Sequence, residues 1–152
     1  MTLFGFGERL EVDSEHTLPE FGLHVHCPWR IENKAGGVIV TGFADFYRPA
    51  PNNDDQTWEP TNGKGSLQKY RLGELLHGSD STLISNDNTI GELMVTEATV
   101  LPLFGLQIDL TPCYRLIIFP DGSVGEQWRL LVQYPTAEST HYVLEDCKVF
   151  VQ

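Results

Sequence analysis

The residues best suited to chemistry lie in one short run, Leu23–Ile31, which holds two histidines, a cysteine and an arginine. If this run is a strand, the i, i+2 spacing puts His24 and His26 on one face, within reach of a single ion such as Zn²⁺. A third ligand would have to come from elsewhere, and Asp45 and His141 are the candidates. The competing interpretation is a pair of hydrogen-bonded histidines in a sheet, with no metal and no other cofactor.

Cys27 is a second chemical candidate, because a thiolate near histidines can act as a nucleophile. Neighbouring strand residues point to opposite faces, so adjacency alone does not place His26 to activate Cys27. A small buried cysteine that fills the core is the alternative interpretation. The chain has no Gly-x-Ser-x-Gly elbow and no Gly-x-x-x-x-Gly-Lys-Ser/Thr phosphate loop. The sequence therefore favours a protein that is not an enzyme.

Two arginines, Arg30 and Arg129, each follow a tryptophan. Alternation along a strand would put each guanidinium on the sheet face opposite its tryptophan. If the arginines pair with Asp45 or Glu126, their function is structural. If they line an open cleft, they can bind a carboxylate or a phosphate instead.

Composition predicts one globular domain, 1–152, of an acidic protein. The formal net charge is −11 and the sequence pI is about 4.7, which disfavours binding to nucleic acid and to anionic membranes. No segment approaches the roughly 18 apolar residues of a membrane helix, and the N-terminus lacks the pattern of a signal peptide. Three widely separated cysteines, Cys27, Cys113 and Cys147, do not suggest a disulfide framework. We therefore expect a cytoplasmic protein, and the oligomeric state stays open.

Strand signals dominate the chain. Short runs rich in Val, Ile, Leu, Phe and Tyr alternate with Gly, Pro, Asn and Asp, which is typical of antiparallel strands. The predicted fold class is α+β, predominantly antiparallel β, with about eight or nine strands in hairpins and a meander. Two early strands are predicted over 3–12 and 21–27, and one hairpin pairs 29–32 with 38–43. Later strands are predicted over 89–99, 105–111, 113–119, 126–133 and 141–151.

One main helix is predicted over 66–77. Ser66 can cap its N-terminus, and Gly78 can end it in the left-handed conformation. The stretch 47–65 before it is rich in Pro, Asn, Asp, Gly and Thr, which predicts a long loop.

Acidic side chains concentrate near the N-terminus and in that long loop. They are either a solvated face or an anionic surface that attracts a basic protein through long-range electrostatics. A tryptophan in the loop can anchor a partner or fold back over the core. The residues assigned to this partner surface are Glu11, Asp13, Glu15, Asp54, Asp55, Trp58 and Glu59.

Several short segments resemble small uncharacterised bacterial proteins, and some such families look like immunity proteins. The segments are Leu23–Ile31, Asp45-Phe46-Tyr47, Phe119-Pro120-Asp121, Glu126–Leu130 and His141-Tyr142-Val143. The resemblance implies a bacterial, cytosolic, β-rich domain that neutralises a toxin. It carries no catalytic residues to this chain.

The leading hypothesis is therefore a non-enzymatic protein–protein interaction protein, an immunity protein whose acidic face covers a basic toxin such as a nuclease. The alternative is a small metal-assisted hydrolase or a small-molecule binding protein built around His24 and His26. A deep pocket that contains both imidazoles and a third ligand would favour the alternative, whereas a filled interior and an acidic exposed surface would favour the interaction protein.

Overall fold

A computed structural model describes residues 1–11, 16–51, 61, 63–77, 93–134 and 138–152. Within these ranges the chain forms ten strands and one α-helix. The strands are β1 (Thr2–Glu11), β2 (Thr17–Val25), β3 (Trp29–Asn33), β4 (Val38–Thr41), β5 (Val95–Val100), β6 (Leu106–Leu110), β7 (Tyr114–Ile118), β8 (Glu126–Val132), β9 (Thr140–Glu145) and β10 (Lys148–Val151). The helix α1 spans Leu67–His77, and a short 3₁₀ turn spans Pro102–Phe104.

The strands form two five-stranded antiparallel sheets that belong to two compact units of the chain. Sheet A has the order β1-β2-β8-β9-β10, and sheet B has the order β4-β3-β7-β6-β5. Unit 1 comprises Met1–Pro28, Val100–Gly105 and Ile118–Gln152, and unit 2 comprises Trp29–Thr99 and Leu106–Ile117. The predicted single domain over 1–152 stays a prediction.

Alternation along the strands of sheet A puts a buried apolar row on one face, while the other face combines polar side chains with apolar ones such as Val143, which lies opposite Arg129. Val25 lies opposite Trp128, which in turn lies opposite Leu144, and all three side chains are buried. The neighbouring residues on the same strands, His24 and Arg129, therefore point to the other face of the sheet. Because a one-residue slip would bring these polar side chains into the core, the burial of this row fixes the register.

Sheet B contains the hairpin that the sequence predicts between 29–32 and 38–43. Strands β3 and β4 pair antiparallel, with Ile31 opposite Val40, and both side chains are buried. The other buried apolar residues of unit 2 are Trp29, Ile108, Leu110, Leu116 and Ile117. The hairpin prediction is confirmed.

The predicted helix over 66–77 is confirmed to within one residue. The Ser66 hydroxyl accepts a hydrogen bond from the backbone N–H of Lys69 at 3.3 Å, which is the expected N-cap. The helix is held near β4 because the Gln68 side-chain amide donates to the carbonyl oxygens of Thr41 and Gly42, at 3.2 and 2.7 Å. No described helix has the length and apolar character needed to span a membrane.

The structure differs from the sequence prediction in strand number, ten against eight or nine. The segment 141–151 does not form one strand, because Asp146 and Cys147 adopt positive φ values of 50° and 59° and turn the chain back on itself. The predicted meander is divided, with β5, β6 and β7 adjacent in sheet B and β8, β9 and β10 adjacent in sheet A. Of the predicted strand over 89–99, residues 89–92 lie outside the described ranges.

Candidate functional site

Five polar side chains converge on or beside the face of sheet A opposite the buried row. His24 on β2 lies directly opposite Arg129 on β8, and His141 on β9 reaches the same guanidinium group. His26 follows the end of β2, and Glu126 begins β8. We call His24, His26, Glu126, Arg129 and His141 the histidine–arginine cluster.

Arg129 is the centre of this cluster. Its Nε and Nη2 donate to the two carboxylate oxygens of Glu126 at 3.2 and 2.7 Å, and its Nη1 lies 3.1 Å from Nδ1 of His141. These hydrogen bonds lower the pKa of Glu126 and raise the pKa of Arg129 from their ordinary values. The pair is therefore ionised, and Glu126 neutralises the guanidinium charge. The sequence left open whether Arg129 pairs with a carboxylate of the chain or lines a cleft for an anionic ligand. In the structure Arg129 pairs with Glu126.

His141 also contacts Ser139, but the pair is not oriented for nucleophilic catalysis. The Ser139 hydroxyl oxygen lies 2.7 Å from Nε2 of His141. An arginine N–H can only donate, so Nδ1 of His141 must be the acceptor, and the proton of the neutral ring is then on Nε2. The ring therefore donates to Ser139 and presents no lone pair that could take the hydroxyl proton.

The two histidines singled out in the sequence both lie near Glu126. Nε2 of His26 is 3.5 Å from a Glu126 carboxylate oxygen. The pKa of His24 is lowered from its ordinary value, first by burial and then by the positive charge of Arg129. Within the ranges given above, no three His, Cys, Asp or Glu side chains are grouped so that they could hold a metal ion.

The two candidates for a third metal ligand have other partners. His141 faces Arg129 and Ser139 through its two ring nitrogens. Asp45 belongs to unit 2, where its carboxylate accepts hydrogen bonds from the Thr41 backbone N–H and the Arg71 guanidinium at 2.8 and 3.0 Å.

Cys27 is buried, with 7% of its surface exposed. Burial, and to a lesser extent the negative charge of Asp121, raise the pKa of this thiol to about 11. The thiol is therefore protonated at neutral pH, which is the opposite of what a nucleophilic cysteine requires. The core-filling interpretation describes this residue better.

An ion-pair group in unit 2 was missed by the sequence analysis. Asp109 on β6 is buried, and Nε and Nη2 of Arg115 donate to its carboxylate at 2.7 and 3.3 Å. Nζ of Lys34 lies 2.9 Å from the same carboxylate. The hydrogen bonds from Arg115 and Lys34 lower the pKa of Asp109 to about 2. In Leu106–Leu110 the polar Gln107 and Asp109 simply alternate with apolar residues, so the sequence contains no signal that Asp109 is buried and paired.

Nε of Arg30 donates to the Glu32 carboxylate at 2.9 Å. The buried Asp45 is matched by Arg71, which also lines an open cavity of about 300 Å³ in unit 2. The residues lining this cavity are Val38, Ile39, Arg71, Glu74, Leu75 and Tyr114. It therefore contains neither of the two histidines on which the alternative function depends.

Of the seven residues assigned to a partner surface, the structure describes Glu11, which is exposed at the end of β1. The other six fall outside the described ranges, so their assignment stays a prediction. They are Asp13, Glu15, Asp54, Asp55, Trp58 and Glu59.

Charge divides unequally between the described parts of the two units. Unit 1 holds eight acidic residues and three basic ones, whereas unit 2 holds five acidic residues and seven basic ones. The acids of unit 1 are Glu8, Glu11, Glu20, Asp121, Glu126, Glu138, Glu145 and Asp146, and its bases are Arg9, Arg129 and Lys148. Among the described residues, the acidic surplus therefore belongs to unit 1.

Comparisons of the chain with protein-family models, curated proteins and solved structures find no match. The geometry and charge of the molecule therefore carry the functional argument.

Proposed function

We propose that this chain is a non-enzymatic binding protein that meets a basic protein through acidic side chains of unit 1. The observation that supports this proposal is the excess of eight acids over three bases in the described part of unit 1. One of those bases, Arg129, is already neutralised by Glu126. A concentrated negative surface accelerates association with a cationic partner and disfavours anionic ones.

Six of these acids are exposed: Glu8, Glu11, Asp121, Glu138, Glu145 and Asp146. The sequence outside the described ranges adds eight more acidic residues and no lysine or arginine. The predicted partner residues, Asp13, Glu15, Asp54, Asp55 and Glu59, belong to this second set. Asp13 and Glu15 fall within the sequence range of unit 1 and would add to its attraction for a basic partner, whereas Asp54, Asp55 and Glu59 fall within the range of unit 2 and stay a separate prediction.

A toxin that cleaves nucleic acid is the partner class that this charge suits. The active surface of a nuclease must attract a polyanion, so an acidic protein can compete for it by occlusion and charge complementarity. This inference agrees with the resemblance of several segments to immunity-type proteins of bacteria. The three cysteines are free thiols, which is compatible with the proposed cytoplasmic location.

Three features of the candidate chemistry support a binding protein over an enzyme. The thiol of Cys27 is protonated, His141 donates to Ser139, and Arg129 is occupied by Glu126. No described contact favours the metal-assisted hydrolase or the small-molecule binding protein built on His24 and His26.

The experiment begins with the product of the gene immediately upstream of this one. We expect a basic protein whose expression alone stops growth and whose effect is suppressed by co-expression of this chain. The affinity of the purified pair should fall steeply as the salt concentration rises from about 50 to about 300 mM, because screening shortens the range of the attraction.

Two charge-matched double variants locate the surface. Glu8→Gln with Glu11→Gln, the unit 1 pair, should weaken binding and flatten its dependence on salt. Glu74→Gln with Glu97→Gln, the unit 2 pair, removes the same charge from exposed positions of the other unit and should leave binding nearly unchanged. An upstream gene that encodes a metabolic enzyme, or equal weakening by both pairs, would contradict the proposal.

A further inference from the structure

Each sheet ends in two edge strands, and three of these four carry features that block pairing with another chain. Strand β1 is irregular between Phe6 and Arg9, and a bulge with charged neighbours protects an edge. At the end of β4 the Thr41 carbonyl oxygen accepts a hydrogen bond from the helix residue Gln68. Strand β5 carries the exposed charge of Glu97 near its middle.

Strand β10, at the end of sheet A, has neither a bulge nor a side-chain hydrogen bond to its outer edge among the described residues. Its pairing with β9 is regular along its whole length. The last three of its four residues are apolar and exposed: Val149 is 45% exposed, Phe150 44% and Val151 65%. The strand's one charged residue, Lys148, is at its start. A regular, apolar edge of this kind is a template for pairing with a further strand.

The hydrogen bonds of the hairpin show which backbone groups face this edge. The backbone N–H groups of His141 and Gln152 each donate to the other residue's carbonyl at 2.9 Å. Inward and outward bonding alternate along an antiparallel strand, so Phe150, like Gln152, bonds towards β9. The N–H and C=O groups of Val149 and Val151 therefore point away from β9.

We propose that β10 pairs antiparallel with β10 of a second copy of this chain, around a two-fold axis at Phe150. In such a pair, residues that lie opposite each other either both bond to the partner strand or both face away from it. A centre at Phe150 puts Val149 opposite Val151 of the second copy and uses both outward-facing residues. A centre at Val149 would put Val151 opposite Cys147, which lies in the turn with a φ of 59°. Sheet A of one copy and sheet A of the other then form one continuous sheet of ten strands.

This register also avoids repulsion between two acidic molecules. The nearest exposed acids, Glu145 and Asp146, precede β10 at the far end of the hairpin. Glu145 is the nearer of the two, because it lies opposite Lys148, two residues from the axis and one strand away; at a rise of about 3.3 Å per residue and a strand spacing of about 4.8 Å, its two copies are roughly 20 Å apart. This separation exceeds the Debye length of about 8 Å at physiological salt. The dimer does not depend on the proposed toxin partner, and the two can fail separately.

The first test measures molar mass by size-exclusion chromatography with light scattering, from about 5 to about 500 µM chain. We expect a monomer at the low end and a dimer at the high end, with a dissociation constant of roughly tens of micromolar, because one short strand buries less area than a standard interface. Val151→Pro removes an N–H that faces the edge and leaves the bonds to β9 in place. It should weaken the dimer by about tenfold or more.

The matched control is Val95→Pro at the start of β5, the edge strand of sheet B that carries Glu97. Its N–H also faces outward, because the carbonyl of the preceding residue, Met94, bonds inward to the Thr111 N–H at 2.9 Å. This control should dimerise like the unchanged protein. A monomer at every concentration, or a dimer equally sensitive to both prolines, would overturn the proposal.

The second test fixes the register and does not depend on how well the proline variants fold. In a Cys147→Ser background, Phe150→Cys puts a thiol on the axis, where opposite Cβ atoms lie about 4.5–5.5 Å apart, close enough to form a disulfide with little movement. Val151→Cys places the two thiols two residues out of register. Mild oxidation should cross-link the first variant at least about tenfold faster than the second. Equal rates, or no cross-link in the first, would reject this pairing.

Discussion

Arg129 and Arg115 are each held by a carboxylate through two hydrogen bonds, and this pairing limits what either guanidinium can bind. Glu126 occupies the first, and Asp109 occupies the second. An incoming anion would have to displace a carboxylate that already matches the planar fork of the arginine. Both guanidinium groups are therefore occupied by carboxylates of the chain, and neither is a free anion site.

The Asp109 group predicts how stability depends on pH. Since Arg115 and Lys34 lower the pKa of Asp109 to about 2, below the ordinary value of 3.8, the folded state binds a proton less readily than the unfolded state. The stabilisation is complete above about pH 4 and is lost as the pH falls towards 2. Chemical denaturation between pH 7 and pH 2 should show this loss.

Asp109→Asn is the matched variant. It should reduce the free energy of unfolding by about 1–3 kcal/mol at pH 7, because it leaves two cations without their carboxylate. Near pH 2 its stability should approach that of the unchanged protein. A constant difference at all pH values would mean that the ion pairs contribute nothing.

Cys27 and Cys147 should differ sharply in reactivity. Cys27 is buried with a pKa of about 11, whereas Cys147 is exposed in the β9–β10 turn. At pH 8 a disulfide reagent such as DTNB should modify Cys147 quickly and Cys27 only after unfolding by denaturant. Cys147→Ser should abolish the fast phase of DTNB labelling, which would identify Cys147 as the rapidly modified residue. Rapid labelling of Cys27 in the native protein would restore it as a candidate nucleophile.

At the scale of elements, local signals predicted the helix well and the last hairpin poorly. Ser66 lies where an N-cap is needed, and a predicted boundary at 77 matches the end of α1. The turn between β9 and β10 has no such signal, because Asp146 and Cys147 adopt positive φ without glycine or proline. Tertiary pairing overrides local preference at this turn.

Only part of the histidine–arginine cluster could be predicted from the sequence, because its other contacts depend on tertiary pairing. The sequence pattern identified His24 and His26 as neighbours on a strand. It did not show that Arg129 lies opposite His24, or that His141 reaches Arg129 from the next strand. Those contacts depend on strand order and register, which a single sequence does not contain.

Gly42, which follows β4, should not tolerate a side chain. A Cβ atom there would lie 2.6 Å from Cδ1 of the Trp29 indole, and this indole is buried and cannot move aside. Gly42→Ala should therefore reduce the free energy of unfolding by about 1–3 kcal/mol. Urea denaturation measures this loss of free energy, provided that the m-value is the same for the variant and the unchanged protein.

Gly22 on β2 provides the matched control. A Cβ atom there would meet Leu131 at 3.8 Å, an ordinary contact. Gly22→Ala should change stability by less than about 1 kcal/mol, and the smaller entropy of the unfolded chain favours stabilisation. Equal losses at both glycines would show that the indole contact is not the cause.

At the scale of the whole molecule, the net charge of −11 is not spread evenly over the fold. The described part of unit 1 is acidic, whereas that of unit 2 carries more bases than acids. The residues of unit 2 outside the described ranges add six acids and no lysine or arginine, so the effect of removing a negative charge in unit 2 depends on its local contacts and not on the sign of the whole unit. Glu→Gln substitution should therefore have one effect at Glu8 and Glu11 and the opposite effect at Glu74 and Glu97, whose carboxylates have favourable local contacts.

Thermal unfolding of the two double variants tests this asymmetry without any partner. At about 10 mM salt the unit 1 pair should raise the melting temperature by roughly 1–3 °C, since each exposed charge contributes a few tenths of a kcal/mol. The unit 2 pair should lower it by a similar amount, because Glu97 attracts Arg115 and Glu74 accepts a hydrogen bond from Tyr70 at 2.8 Å. Both shifts should shrink at about 0.5 M salt. If both pairs shift the melting temperature in the same direction, the acidic surplus acts on the chain as a whole. That result would contradict the charge asymmetry on which the proposed binding surface of unit 1 depends.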